Sequence, residues 1–131
     1  MFKRIDHVEI VTGNAEKAIK FFTDLMGFRV KERMKLDFPP MKEIIFVQLQ
    51  DTVIEIISAN NPAPPSPEPW QVGYKRIAIE VDNMDAAIKF LKGKGVKVTV
   101  EPRTLADSKR GEIEGPDGLS IELREWFSTK K

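Results

Sequence analysis

Residues 17–22 read KAIKFF, and 69 positions further on residues 86–91 read AAIKFL. Ala15, Ala18, Ile19 and Phe22 align with Met84, Ala87, Ile88 and Leu91. Each set has the i, i+3, i+4, i+7 spacing of a helix with one apolar face. Asn14 and Asn83 stand at the expected N-caps, where an amide oxygen can accept from the first free backbone N–H groups. Gly27 and Gly95 follow the helices, where a left-handed residue ends a helix without strain. Alternating runs at 5–11 and 74–81 precede the helices, and strand-like runs follow at 28–36, 43–50 and 52–58, then at 96–100, 109–114 and 119–124. The last two are joined by Gly115-Pro116-Asp117-Gly118, a strong turn signal. Cap, helix face, strand order and terminal glycine all agree, so the repeat is read as a duplicated unit.

The expected class is α+β: two tandem βαβββ modules forming a curled mixed sheet, a half-barrel with an open cleft. Module one is placed at 1–59, a linker at 60–72, module two at 73–125 and a tail at 126–131. The stretch NNPAPPSPEPWQ (60–71) holds five prolines. Such a segment favours extended polyproline II and could reach about 35 Å, which suits a stiff connector better than a proline-motif ligand.

With 131 residues, 41% hydrophobic and 31% charged, a globular chain the size of one domain or two small fused modules, with a real core, is expected. A net charge of +1 gives no footprint for nucleic acid or an anionic membrane. No apolar stretch approaches the ~20 residues of a membrane span, and the start lacks a signal-peptide core, so a cytoplasmic setting is expected. The absence of cysteine excludes thiolate chemistry and Cys-based zinc sites. A single histidine, His7, leaves no second one for a ring-cleaving iron site. Nucleophile-elbow and phosphate-loop motifs are absent.

Period-two alternation then sorts the strands. Val8 and Ile10 should cover the first helix, turning His7 and Glu9 to the other face. Ile54 and Ile56 do the same for Glu55, and Ile121 and Leu123 for Glu122. Glu55 and Glu122 are counterparts across the repeat, as are His7 and Arg76. Phe46, Gln48 and Arg124 follow from the same alternation as lining residues. Lys35, Asp37 and the Phe38-Pro39-Pro40 turn suggest a rim, and Trp126 with Phe127 could close the cleft or bury in a dimer contact.

The segments IDHVEIVTGNAEKAIKFFTDLMGF, VIEII, RIAIEVDNMDAAIKFLKGKGV and GPDGLSIEL resemble the vicinal oxygen chelate superfamily. That family includes glyoxalase I, methylmalonyl-CoA epimerase, extradiol dioxygenases and bleomycin or fosfomycin resistance proteins. The resemblance implies a small-molecule ligand, a homodimer, and metal ligands at His7, Glu55 and Glu122, with Ni, Co, Zn, Mn or Fe as the ion. It also implies that Glu122 or Glu55 exchanges the proton. Arg76 departs from the pattern, which places histidine there; a guanidinium stays cationic and cannot coordinate. Two readings follow. Either Arg76 replaces the ion between the two glutamates in a metal-free binding site, or an ion is held by three residues and Arg76 clamps a substrate carboxylate or phosphate.

Overall fold

The computed structural model describes residues 1–128. They form two compact units that part between Pro64 and Pro65. In unit one the elements are β1 (Val8–Thr12), α1 (Ala15–Lys20), β2 (Arg29–Phe38), β3 (Met41–Leu49) and β4 (Thr52–Ala59). Unit two has β5 (Ile77–Glu80), α2 (Met84–Gly93), β6 (Val98–Thr104), β7 (Ser108–Glu114) and β8 (Ser120–Trp126). The sheet orders are β1-β4-β3-β2 and β5-β8-β7-β6. Both sheets are open and mixed: β1 with β4 and β5 with β8 are parallel, and the remaining pairs are antiparallel. The expected α+β class and the βαβββ order of each module hold.

Parallel neighbours need a crossover, and each helix supplies it. The caps work as the sequence suggests. Asn14 Oδ1 accepts from the Lys17 N–H at 3.1 Å and Asn83 Oδ1 from Ala86 at 2.8 Å. Gly27 and Gly95 both adopt φ of 81°. The first helix does not stay α-helical: Phe21–Leu25 form a π-helical turn. There the Thr23 hydroxyl donates to the Ile19 carbonyl at 2.8 Å and competes for a ladder acceptor.

Alternation on the strands puts apolar side chains under the helices. Ile10, Phe22, Ile45, Val47, Ile54 and Ile56 are buried in unit one; Met84, Leu91, Ile113, Ile121 and Leu123 are buried in unit two. Burying each such side chain contributes about 1.5–3 kcal/mol. The opposite faces carry His7, Glu9 and Glu55, or Arg110, Glu112, Glu122 and Arg124.

Two strands are shorter at their starts than the alternating runs. β1 begins at Val8, opposite Ile54, and β5 at Ile77, opposite Ile121. β6 instead runs on to Thr104, because β7 pairs with it as far as Lys109↔Thr104. No described helix is long and apolar enough to cross a membrane.

Replacing Asn83 by Ala removes the cap of α2 and is expected to cost about 1 kcal/mol of unfolding free energy in urea melts. Asn83→Asp keeps an acceptor and should cost much less. Equal losses would show that the capping oxygen is not the cause.

Candidate functional site

On the face of unit one away from α1, parallel register sets Glu9 beside Glu55, and antiparallel register continues the row through Phe46 to Glu32. His7 precedes β1 and its Nε2 lies 3.1 Å from Glu9 Oε2 and 3.1 Å from Glu55 Oε1. Its Nδ1 is 2.8 Å from Asp6 Oδ2. The Phe46 ring meets the imidazole edge-on at 5.8 Å between centroids. Hydrogen bonds accepted by Asp6 and then by Glu9, with the Glu55 charge behind them, push the His7 pKa above 6.5.

Glu55 is only 8% exposed, and a carboxylate this buried is costly unless something positive sits against it. One ring N–H cannot serve both carboxylates that converge on Nε2. A cation that both can share relieves this, and the donor set suits one. One atom each from His7, Glu9 and Glu55 all lie within 4.8 Å of one another. An imidazole and two carboxylates match borderline divalent ions such as zinc, cobalt, nickel, manganese or iron. Three protein ligands leave positions open for substrate. Asp6 on Nδ1 would fix the tautomer that presents Nε2, the usual carboxylate support behind a ligating histidine.

Beside this group is a hollow of about 270 Å³, bordered by Arg4, Asp6, Lys31, Phe46, Gln48 and Val53 among others. Phe46 and Gln48 stand on the same face of β3 and both border it. Gln48 Oε1 also accepts from Arg29 at 3.0 Å.

The corresponding face of unit two differs in kind. Glu122 is held by two guanidiniums: Arg110 Nη2 reaches Oε1 at 2.7 Å and Arg124 Nη2 reaches Oε2 at 2.8 Å. Burial raises the pKa of Glu122, but the Arg110 and Arg124 hydrogen bonds outweigh it and hold the group below 4.5. Arg110 also bonds Glu112 at 2.7 Å. Arg124 donates to Ser108 Oγ at 3.0 Å and lies 5.1 Å over the Trp126 ring. Arg76 donates from Nε to Ser120 Oγ at 3.0 Å. Ala78, Glu80, Glu122, Arg124 and Trp126 border a hollow of about 290 Å³.

Of the residues singled out in the sequence, His7 and Glu55 meet within unit one, and Glu122 and Arg124 meet within unit two. Four participants were not singled out. Glu9 joins the donor set because β1 starts one residue after His7 and aligns Glu9 with Glu55. Asp6 precedes the strand and carries no periodic signal. Arg110 and Glu112 were readable: a hairpin turning at 115–118 puts residue 112 opposite 122 and 110 opposite 124.

The sequence model of the glyoxalase/bleomycin resistance protein/dioxygenase superfamily matches residues 4–123. The chain belongs to this superfamily. It is 32% identical over 98 residues to human mitochondrial methylmalonyl-CoA epimerase, a match spanning 72% of this chain and 55% of that protein. A glyoxalase family protein from Enterococcus faecalis superposes with a TM-score of 0.83 at 24% identity, covering 95% of this chain and 98% of that one. TnmS3, an antibiotic binding protein from Streptomyces sp. CB03234, gives a TM-score of 0.75 at 19% identity over 95% of this chain and 97% of its own. At these identities the two structures show a shared fold.

The lowered pKa of Glu122 has a consequence for acid stability. A carboxyl that releases its proton more readily when folded contributes stability that is fully present above the ordinary 4.5 and is lost as pH falls through the folded value. Glu43, lowered mainly by its hydrogen bond with Arg33, acts in the same direction. The urea midpoint is therefore expected to fall as pH drops below 4.5. Glu122→Gln should make that fall shallower, leaving the share due to Glu43. An unchanged slope would contradict the two-arginine clamp.

Proposed function

We propose that the chain binds a divalent cation through His7, Glu9 and Glu55 and moves a proton on the carbon next to a carbonyl of a small molecule, as an epimerase or lyase does. The observation that carries this reading is the convergence of two carboxylates on one imidazole nitrogen. When bound, such an ion polarises the carbonyl and stabilises the negative charge that develops on its oxygen. Glu55 is the carboxylate we assign to take the proton from carbon and return it. Phe46 packs against the imidazole and keeps water from one side of it. Glu122 does not fill the base role in this reading, because two guanidiniums disfavour its protonated form and a general base works best with a pKa near the working pH. The identity to the human epimerase supports an acyl-CoA as the substrate type, and a hemithioacetal is the neighbouring choice. Homodimeric assembly in the cytoplasm is part of the same proposal.

A second reading has a specific observation in its favour. Arg76 occupies the counterpart of His7, and the Glu112 and Glu122 carboxylates of its face are already held by Arg110 and Arg124, as a metal-free binding protein would need. The likeness of fold to TnmS3 fits that reading.

The test is elemental analysis of protein loaded with cobalt or manganese and desalted, followed by deuterium incorporation into methylmalonyl-CoA in heavy water. We expect about one ion per chain and exchange that falls roughly 10²–10⁴-fold in Glu55→Gln. Wild-type protein that keeps no ion and exchanges no deuterium would leave the metal-free reading standing, and a Glu55→Gln variant that exchanges as fast would remove Glu55 from the base role.

A further inference from the structure

The polar face of unit two carries a linked row of alternating charges: Arg76, Glu112, Arg110, Glu122, Arg124. Within it each carboxylate has its own close guanidinium. Glu112 and Glu122 are both 2.7 Å from Arg110, and Glu122 is also 2.8 Å from Arg124. Arg124 ends the row against Ser108 and Trp126. The other end is open. The nearest carboxylate oxygen to Arg76 is Glu112 Oε1 at 3.6 Å, and that residue is already bonded through Oε2 to Arg110. Glu114 lies in the next row, opposite Ser120, and makes no ion pair with Arg76 among the described residues. Glu80, the register neighbour of Arg124, stands on the same face, so arginines and glutamates balance there; Arg76 is the arginine of the row whose nearest carboxylate lies as far as 3.6 Å and is shared with Arg110.

We propose that Arg76 is the docking point for an anionic group, a carboxylate or a phosphate, of the small molecule this protein binds. The guanidinium is positioned for it. Its Nε is tied to Ser120 Oγ at 3.0 Å, which fixes the fork; of the two terminal nitrogens, Nη2 has only the 3.6 Å contact to Glu112 Oε1, and both can turn to the oxygens of an incoming anion. The side chain is only 24% exposed, so an ion pair formed there is screened less than one in open water. A merely solvated surface arginine would need neither the serine anchor nor this degree of shielding. An anion there gives Arg76 the close partner that Arg110 and Arg124 already have. As an anion site the inference stands on unit two alone; as a substrate contact it rests on the function proposed above.

The experiment titrates ¹⁵N-labelled protein, stripped of metal with EDTA, with malonate and separately with inorganic phosphate, following the arginine Nε–Hε resonances and the backbone N–H of Ser120. We expect saturable shifts with at least one probe; malonate alone identifies a carboxylic acid and phosphate alone a phosphate ester, and either supports the site. Arg76→Gln should weaken binding about tenfold or more, the loss of a hydrogen bond to a charged group, while Arg76→Lys restores part of it. Ser120→Ala should weaken it less. Chloride at matched ionic strength controls for screening. If neither probe saturates wild-type protein, or if Arg76→Gln binds as tightly, the proposal is overturned. Because no metal is present, failure here is separate from failure of ion binding at His7, Glu9 and Glu55.

Discussion

Glu9 and Glu55 stand side by side because β1 pairs with β4 in parallel, across the crossover that α1 provides. Their side chains face away from the helix, since Ile10, Ile54 and Ile56 take the buried face. A slip of one residue in that register would bury the carboxylates under α1 and expose the isoleucines, at a cost of several kcal/mol. The apolar core therefore enforces the polar arrangement on the opposite side. His7 adds an imidazole at the mouth of the same pair, and one nitrogen then faces two acids. Unit one presents a place for a cation for this reason, and the rest of the functional account depends on it.

The two modules share a backbone plan and have diverged on their polar faces. Register equates Glu9 with Ala78, Phe46 with Glu112, Ile44 with Arg110 and Ile57 with Arg124. Where unit one has a histidine, two acids and apolar neighbours, unit two has a lattice of guanidiniums and carboxylates. Glu55 and Glu122 are sequence counterparts with opposite surroundings. The first is buried beside an imidazole, the second is clamped between two arginines. Counting carboxylates across the repeat treats them as equivalent; their partners make them different.

Much of the fold was legible. Periodicity of 3.6 located both helices, asparagine and glycine marked their ends, and alternation assigned the buried face of each strand. What escaped depended on information outside a local window. Nothing local shows that the ladder of β1 starts only at Val8, or that Thr23 turns back on Ile19 to help widen the helix. The site was legible in part: His7 and Glu55 follow from alternation and the family resemblance, and Arg76 stands out as a departure from the pattern. Glu9 was placed on the correct face, but its partnership with Glu55 is a matter of parallel register, which no turn fixes. Arg110 and Glu112 could have been paired across the hairpin that turns at Pro116-Asp117-Gly118, because there the connection sets the register.

The most direct test of the central claim is anomalous diffraction from crystals grown with manganese, measured where the ion scatters anomalously. The account predicts one strong peak flanked by His7 Nε2 and the carboxylates of Glu9 and Glu55, with Asp6 on the far nitrogen of the ring. A peak beside Glu122 that displaces Arg110 and Arg124, with none at His7, would contradict it.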